Sequence, residues 1–246
     1  MMKKIAILSL LLVSSQSWAY RVTSDFAAGF YWATLPIEIT VIDSDVTRKA
    51  KLETLARNAI NEWENAVGQD IWQFYLSQIS ASASGRNVVR WSNNFAAETG
   101  MNPSTTLAAA IRYTYGPYFA RTEIVINGGH SINQNDYQLQ TVLVHEFGHT
   151  VGLDHSEDGS AIMAPSLQLY YGGITSDDMN GMNAVLAQTH NYQATGYVSP
   201  LSQNEETKSA MSCATVSQVG SSSNMLSLFG GFLMSLIGFI RKRLFK

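Results

Sequence analysis

The stretch HEFGHTVGLDH at residues 145–155 constrains this chain more than any other feature, and it holds three of the chain's five histidines. On a helix, His145 and His149 are four positions apart and project from one face, where both can bind the same metal ion. Glu146 is turned aside from that pair and can reach a water molecule on the metal. The pattern therefore predicts a helix that carries two metal ligands and a general base.

The third ligand is predicted from the end of this helix. A catalytic zinc site takes three protein ligands and keeps one position open. Gly152 can adopt a conformation that is unfavourable to other residues, so the chain can leave the helix there and bring His155 back to the metal. Apolar residues before the motif would bury the helix, and buried imidazoles without a partner are costly. We therefore predict a zinc ion held by His145, His149 and His155.

Residues 145–156 resemble the zinc-binding stretch of the metzincin metalloproteases and, within them, of the matrixin (matrix metalloproteinase) family. Ser156 follows the third histidine as in matrixins. Met163 stands where the family has its Met-turn, and the resemblance implies that it forms an apolar floor beneath the metal. Two neighbouring families, the astacins and serralysins, carry a tyrosine two residues after that methionine. Here the position is Pro165, which favours the matrixins.

Other stretches of the chain resemble matrixins more weakly. With them, the resemblance covers roughly residues 30–188. Residues 174–182 are similar to the start of the family's C-terminal helix, which implies a structural role for Asp177 and Asp178. Residues 107–113 stand where matrixins have the edge strand that receives substrate. The resemblance implies substrate-binding residues at Leu107, Ala108, Ala109, Pro165 and Leu167.

The resemblance implies an α+β fold, a metzincin-like catalytic domain with a twisted mixed β-sheet, an N-terminal helix, an active-site helix and a C-terminal helix. It also implies a zinc metalloendopeptidase in which Glu146 takes the proton of a zinc-activated water and delivers it to the leaving amine. We expect one zinc, with His130 as a loop residue and not a ligand. The sequence does not decide whether calcium is a second metal, because backbone carbonyls, which any residue has, can supply much of its coordination. No cysteine stands between Ala19 and the first strand, so we expect no cysteine-based latency.

The residue pattern over 20–189 predicts a mixture of strands and helices. Asp45 can cap a helix that continues to Gly68 with apolar residues at helical spacing. The motif helix is predicted to start near Tyr137, and a last helix near Ser176, with paired acids in its first turn. Strands are predicted at residues 36–43, 87–92, 106–113 and 122–127.

The first residues have the layout of a secretory signal peptide. Lys3 and Lys4 precede an apolar run over residues 5–13, and small residues follow at 17–19. We place cleavage after Ala19. The sequence therefore predicts export through the inner membrane.

The C-terminal tail, residues 225–246, is apolar and ends in a basic cluster. Its uncharged part is roughly 24 Å long as a helix, short of the roughly 30 Å hydrocarbon core, so it would span only if the bilayer thins. The basic cluster would stay cytoplasmic, with residues 20–224 on the outer side. The tail also loosely resembles the C-terminal sorting signals of bacterial surface proteins. We expect a protein anchored in the membrane and facing the periplasm, or sorted to the surface or secreted after tail cleavage.

A linker rich in Ser, Thr, Gln and Asn is predicted between the catalytic domain, residues 20–190, and this tail. Residues 191–224 show no apolar period, which is typical of a flexible segment. Cys213 is the only cysteine, so it is a free thiol, an intermolecular bridge, a modification point or an incidental residue.

The composition limits the classes of molecule that this chain is expected to bind. The net charge of -3 leaves no basic stripe, so we expect no nucleic-acid partner, and we expect a monomer. Polypeptides are the expected substrates. Two alternatives are a zinc hydrolase of cell-wall peptides and a non-catalytic zinc-binding surface protein. Loss of the base would be typical of the second, and Glu146 is present.

Overall fold

The computed structural model describes residues 19–75, 86–166 and 172–214. The predicted signal peptide before Ala19, the candidate substrate residue Leu167 and the tail at 225–246 lie outside the described residues. Among the helices that are described, none has both the length and the hydrophobicity of a membrane span.

The described residues contain both helices and strands. The helices are α1 (Ser24–Ala27), α2 (Val46–Val67), α3 (Phe95–Thr99), α4 (Asp136–Val151) and α5 (Ser176–Thr195), with a 3-10 turn at Ser131–Gln134. The strands are β1 (Ile37–Ile42), β2 (Trp72–Phe74), β3 (Val88–Ser92), β4 (Thr106–Gly116), β5 (Tyr118–Asn127) and β6 (Gln203–Ala214). Every predicted strand and helix is present, and the α+β class is confirmed.

The strands form one mixed sheet in the order β2-β1-β3-β5-β4-β6. β1 pairs in parallel with β2 and β3, and β3 pairs in parallel with β5, because helical or long connections separate them in the chain. β4 runs antiparallel to β5, from which a single residue separates it. The predicted mixed sheet is confirmed.

Helix α2 begins and ends where the sequence predicts. The Asp45 side chain accepts a hydrogen bond from the Arg48 amide, and Gly68 ends the helix in the left-handed conformation with a φ of 69°. Its buried face packs against α4 through side chains at helical spacing, namely Leu52, Ala56, Ala59, Ile60 and Trp63. α2 therefore supports the helix that carries the zinc-binding motif.

Helix α4 is buried along most of its length and is held by three indole N–H groups. Trp63 donates to the carbonyl oxygen of Val144 at 2.7 Å, and Trp32 donates to that of Thr150 at 2.9 Å. Trp72 donates to the hydroxyl oxygen of Thr150 at 3.0 Å. These contacts fix α4 from both its middle and its C-terminal end.

The fold continues past the predicted end of the domain. Helix α5 runs to Thr195, and β6 pairs antiparallel with β4 along its length, from Thr106 to Gly116. The prediction of a flexible linker was therefore wrong for residues 191–214. Most side chains in the N-terminal half of β6 are exposed, so the strand carries no alternating apolar pattern and its backbone pairing with β4 holds it in place.

Candidate metal centre

The structure brings together the three histidines that the motif singled out. His145 and His149 lie one turn apart on α4, and His155 returns to them after the helix ends. One nitrogen from each ring lies within 4.8 Å of one nitrogen of the others. The ring centres are 4.6 Å, 4.9 Å and 5.3 Å apart. Among the described residues, this is the one group of three or more possible ligands arranged to hold a metal ion.

Gly152 ends α4 in the way that the sequence predicts. Its φ is 115°, in the left-handed region that favours glycine. A side chain is also excluded by space, because a Cβ atom at Gly152 would lie 2.8 Å from a ring carbon of Phe26. The turn at Gly152 lets His155 reach the other two histidines.

Backbone carbonyls fix the tautomer of both histidines on α4. The Nδ1 atom of His145 lies 2.6 Å from the carbonyl oxygen of Ile162, and that of His149 lies 2.7 Å from the carbonyl oxygen of Leu153. A carbonyl oxygen can only accept, so each neutral ring carries its proton on Nδ1 and presents a lone pair on Nε2. The two Nε2 atoms are 3.0 Å apart. Two lone pairs at that distance repel each other, and a cation between them removes the repulsion.

Burial keeps these imidazoles in the neutral form that binds metal. The pKa of His145 is lowered to about 3, with desolvation by burial as the largest cause and the nearby His155 acting in the same direction. Desolvation also lowers the pKa of His149 well below its usual value of 6.5. Neutral nitrogen donors with hydrogen-bonded Nδ1 atoms are the usual ligands of zinc, so the two histidines of α4 fit that metal, and His155 lies close enough to complete the set.

Glu146 lies in the same buried region. It follows His145 directly on α4 and is 0% exposed. A buried carboxylate beside a group of possible metal ligands is a candidate for a functional role. The structure therefore holds the predicted base next to the predicted ligands.

Met163 lies against the motif helix. It is 2% exposed, and its sulfur contacts α4 so closely that a Cβ atom at Gly148 would lie 2.4 Å from it. Gly148 stands directly before His149. Met163 therefore packs against the turn of α4 that carries His149.

The paired acids at the start of α5 hold the loop that surrounds the site. The Asp178 carboxylate accepts hydrogen bonds from the amides of Ile162 and Met163 at 2.9 Å and 3.0 Å. Because the carbonyl of Ile162 contacts His145, this carboxylate positions a histidine through one peptide unit. Asp177 accepts from the hydroxyl of Ser156 at 2.7 Å, directly after the third histidine.

A buried ion pair that the sequence reasoning missed lies behind the histidines. Arg112 is 0% exposed and donates two hydrogen bonds of 2.9 Å to the Asp25 carboxylate. It also donates to the backbone carbonyl of His149. Burial lowers the pKa of Arg112, and Asp25 opposes that effect. The signal available in the sequence was a single charged residue in the apolar strand LAAAIR, which requires a buried partner.

The candidate substrate residues are placed differently from the expectation. Leu107, Ala108 and Ala109 are 0% exposed and lie in β4. β4 is not an edge strand, because β6 lies outside it. The expectation that residues 107–113 form the open edge of the sheet was therefore wrong in this arrangement. Pro165 is exposed after the Met163 turn.

His130 stands apart from the other histidines. It precedes the 3-10 turn, and its Nδ1 atom accepts a hydrogen bond from the Ile132 amide at 3.3 Å. This contact gives it the role of a capping residue in a loop, in line with the prediction.

Comparison with known proteins finds similarity over the part of the chain that contains the three histidines. The family described as Matrixin matches residues 32–187. Interstitial collagenase of Equus caballus is 39% identical over 62 residues, which are 24% of this chain and 13% of that protein. Matrix metalloproteinase-20 of Homo sapiens is 40% identical over 58 residues, which are 22% of this chain and 12% of that protein. Matrix metalloproteinase-C of Caenorhabditis elegans is 39% identical over 61 residues, which are 22% of this chain and 10% of that protein.

These similarities are local. The chain spans between 10% and 13% of the length of the curated relatives just named. The family match is broader and covers more than half of the chain, including all three histidines. The chain therefore belongs to the matrixin family.

Proposed function

We propose that this chain is an exported, zinc-dependent metalloendopeptidase that hydrolyses peptide bonds. The observation that carries the proposal is the approach of the Nε2 atoms of His145 and His149, which are 3.0 Å apart. His155 completes a set of three ligands. Three protein ligands are typical of a catalytic zinc site, because such a site keeps one position for water or substrate.

The chain's own residues divide the remaining work. Zinc, when bound, lowers the pKa of its water toward 7 and polarises the scissile carbonyl. Glu146 accepts the proton of the attacking water and delivers it to the nitrogen of the leaving amine. The carbonyls of Ile162 and Leu153 keep the two histidine rings oriented throughout, because each accepts from a ring Nδ1.

Export is part of the proposal and rests on the sequence. The layout of residues 1–19 favours a cleaved signal peptide, and the tail at 225–246 favours attachment to the membrane or sorting. The peptidase domain would then act on the outer side of the inner membrane. Attachment in the membrane with the domain facing the periplasm, and release to the surface or medium after tail cleavage, are the two forms of this proposal.

The Glu146→Gln variant tests the proposed chemistry. It removes the base and leaves the three histidines, so we expect about one zinc per chain and a loss of casein hydrolysis by about 100-fold or more. Zinc is measured by elemental analysis, and hydrolysis is measured on unfolded casein with and without a chelator.

The matched control is Glu157→Gln, since the Glu157 side chain is 68% exposed and lies in the loop after the motif. It should hydrolyse casein as the parent does. Full activity of Glu146→Gln would exclude Glu146 as the base. Hydrolysis of peptidoglycan without hydrolysis of casein would select the cell-wall alternative.

A further inference from the structure

Strand β4 lies alongside the motif helix α4. Near its start, Leu107 packs with Val142 in the first half of α4. Further along, Arg112 donates to the backbone carbonyl of His149, near the C-terminal end of the same helix. β4 therefore runs alongside α4, and its outer edge, on the side away from β5, is the one that β6 covers, while β2 forms the opposite edge of the sheet.

An edge of this kind is a ready binding surface for an extended peptide. The free N–H and C=O groups of an edge strand pair with an incoming chain, which gives affinity through the backbone and leaves side chains to set specificity. An endopeptidase must hold its substrate extended next to the metal. The backbone groups of β4 are the part of the sheet placed for that contact.

In the structure, β6 already occupies this position. It runs antiparallel to β4, with Ala108 opposite Cys213 and Arg112 opposite Ser209. Cα atoms of β6 also lie within 8 Å of Cα atoms of α4. In this arrangement His145, Glu146 and His149 are all 0% exposed. A peptide cannot pair with β4 while β6 remains there.

Over residues 203–208, the described side-chain contacts that hold β6 lie near the solvent. Glu206 forms an ion pair of 2.8 Å with Arg121, and its side chain is 43% exposed. The hydroxyl groups of Thr114 and Thr207 contact each other across the two strands. The other side chains over residues 203–208 are exposed, so little apolar surface is buried there. Contacts of this kind allow a strand to leave and return, because exposed ion pairs contribute little to stability.

We infer that β6 is an autoinhibitory strand that competes with substrate for the outer edge of β4. Substrate binding requires β6 to leave, so the enzyme exchanges between a closed form and an open form. The inference rests on the proposed function, since it concerns access of a peptide to the same site. It names the chain's own residues 203–214 as the competitor.

A reversible cross-link tests this directly in the full chain. Thr114 and Thr207 have hydroxyl oxygens in contact, so cysteines at both positions can form a disulfide that fastens β6 to β4. The variant is Thr114→Cys with Thr207→Cys in a Cys213→Ser background, which removes the only native thiol. We expect the oxidised form to hydrolyse unfolded casein about tenfold or more slowly than the reduced form. The Cys213→Ser parent receives the same oxidant and phosphine reductant.

Weakening the hold on β6 should have the opposite effect. Glu206→Lys removes the ion pair and places a positive charge next to Arg121, so we expect casein hydrolysis to rise roughly two- to fivefold. Glu205→Lys is the matched control. It makes the same charge change at the neighbouring exposed position, which points to the other face of the sheet. Its rate should equal that of the parent.

The outcomes separate this inference from the function on which it rests. If the oxidised and reduced forms hydrolyse casein equally, β6 only protects the sheet edge, and the autoinhibitory role is wrong while the peptidase proposal stands. If zinc-loaded parent, reduced form and Glu206→Lys all fail to hydrolyse casein, the peptidase proposal is wrong and this inference falls with it. Slow hydrolysis confined to the oxidised form, at equal zinc content, supports both.

Discussion

At the scale of single residues, the site depends on a charge that lies behind it. Arg112 connects the short helix α1 to the carbonyl of His149, so one guanidinium holds two parts of the chain that are far apart in sequence. A buried ion pair often adds little to the net stability of a protein. Removing one of its two partners is nevertheless costly, because the other charge then stays buried without a counter-charge. Removing one partner of the Arg112–Asp25 pair is therefore expected to be more costly than the net contribution of the pair to stability.

Replacing Arg112 by Met should strongly destabilise the fold. The change leaves the Asp25 carboxylate buried without its guanidinium, and we expect the free energy of unfolding to fall by about 3–5 kcal/mol in urea titrations. Arg21→Met is the control, because its ion pair with Glu157 lies at the surface, with side chains 63% and 68% exposed, and its loss should cost less than about 1 kcal/mol. Adding Asp25→Asn to Arg112→Met should recover part of the loss, and a double variant as unstable as the sum of the two single variants would contradict the pairing.

Residue identities could be predicted where a local pattern fixes the role. The three histidines, Glu146 and Gly152 follow from their spacing on one helix and its end. The Arg112 pair could not be predicted, because Asp25 lies 87 residues away and nothing local indicates which acid approaches the arginine. The charge itself was visible in an apolar strand, but its partner depends on the folding of the whole sheet.

At the scale of elements, α4 is packed too tightly for ordinary helix preferences to apply. Alanine is the better helix former by about 1 kcal/mol at an exposed position. At Gly148 a Cβ atom would lie 2.4 Å from the sulfur of Met163 and 3.2 Å from a ring carbon of Trp63. The helix and the loop that carries Met163 meet here without spare volume.

The Gly148→Ala variant should therefore lose stability despite its favourable helix propensity. Overpacking of a full core costs about 1–3 kcal/mol, which outweighs the gain in propensity. The free energy of unfolding is measured on zinc-loaded protein. Gly159→Ala serves as the control, since no atom lies within 4 Å of its added Cβ, and it should change stability by less than about 0.5 kcal/mol. A more stable Gly148→Ala would show that Met163 moves away freely.

Elements were predictable where their ends carry a capping signal. Asp45 and Gly68 mark α2, and the observed cap residues are the same. β6 was missed because its register is set by the backbone of β4 and not by its own side chains, most of which are exposed over residues 203–210. A polar strand at a sheet edge and a flexible polar segment have the same composition, so the sequence alone does not separate them.

At the scale of the whole molecule, the buried histidines make folding sensitive to acid. The folded-state pKa of His145 is about 3, below its ordinary value of 6.5, and that of His149 is also lowered. The unfolded chain therefore binds these protons more tightly than the folded chain does. The stability of the metal-free protein should thus be independent of this pair above about pH 6.5 and fall as the pH decreases from about 6.5 toward 3.

Urea unfolding of the metal-free protein at pH 7.5, 6 and 5 checks the sign of this effect. Added zinc should raise the midpoint at pH 7.5, because a metal that binds the folded chain and not the unfolded chain stabilises the folded state. His190→Gln is the control, since it removes an exposed histidine and leaves the buried pair in place. A midpoint that stays constant from pH 7.5 to 5 would contradict the buried, neutral state of the pair.

The pairing of β4 with β6 also fixes an order of events during synthesis. All three histidines, Glu146, β4 and its inner partner β5 precede β6 in the chain. Because a chain leaves the ribosome from its N-terminus, the site can assemble before residues 203–214 have been made. Each newly made molecule would therefore pass through a short interval in which its sheet edge is open. In that interval it is most able to pair with an unfolded neighbour, and completion of the last strand ends the interval.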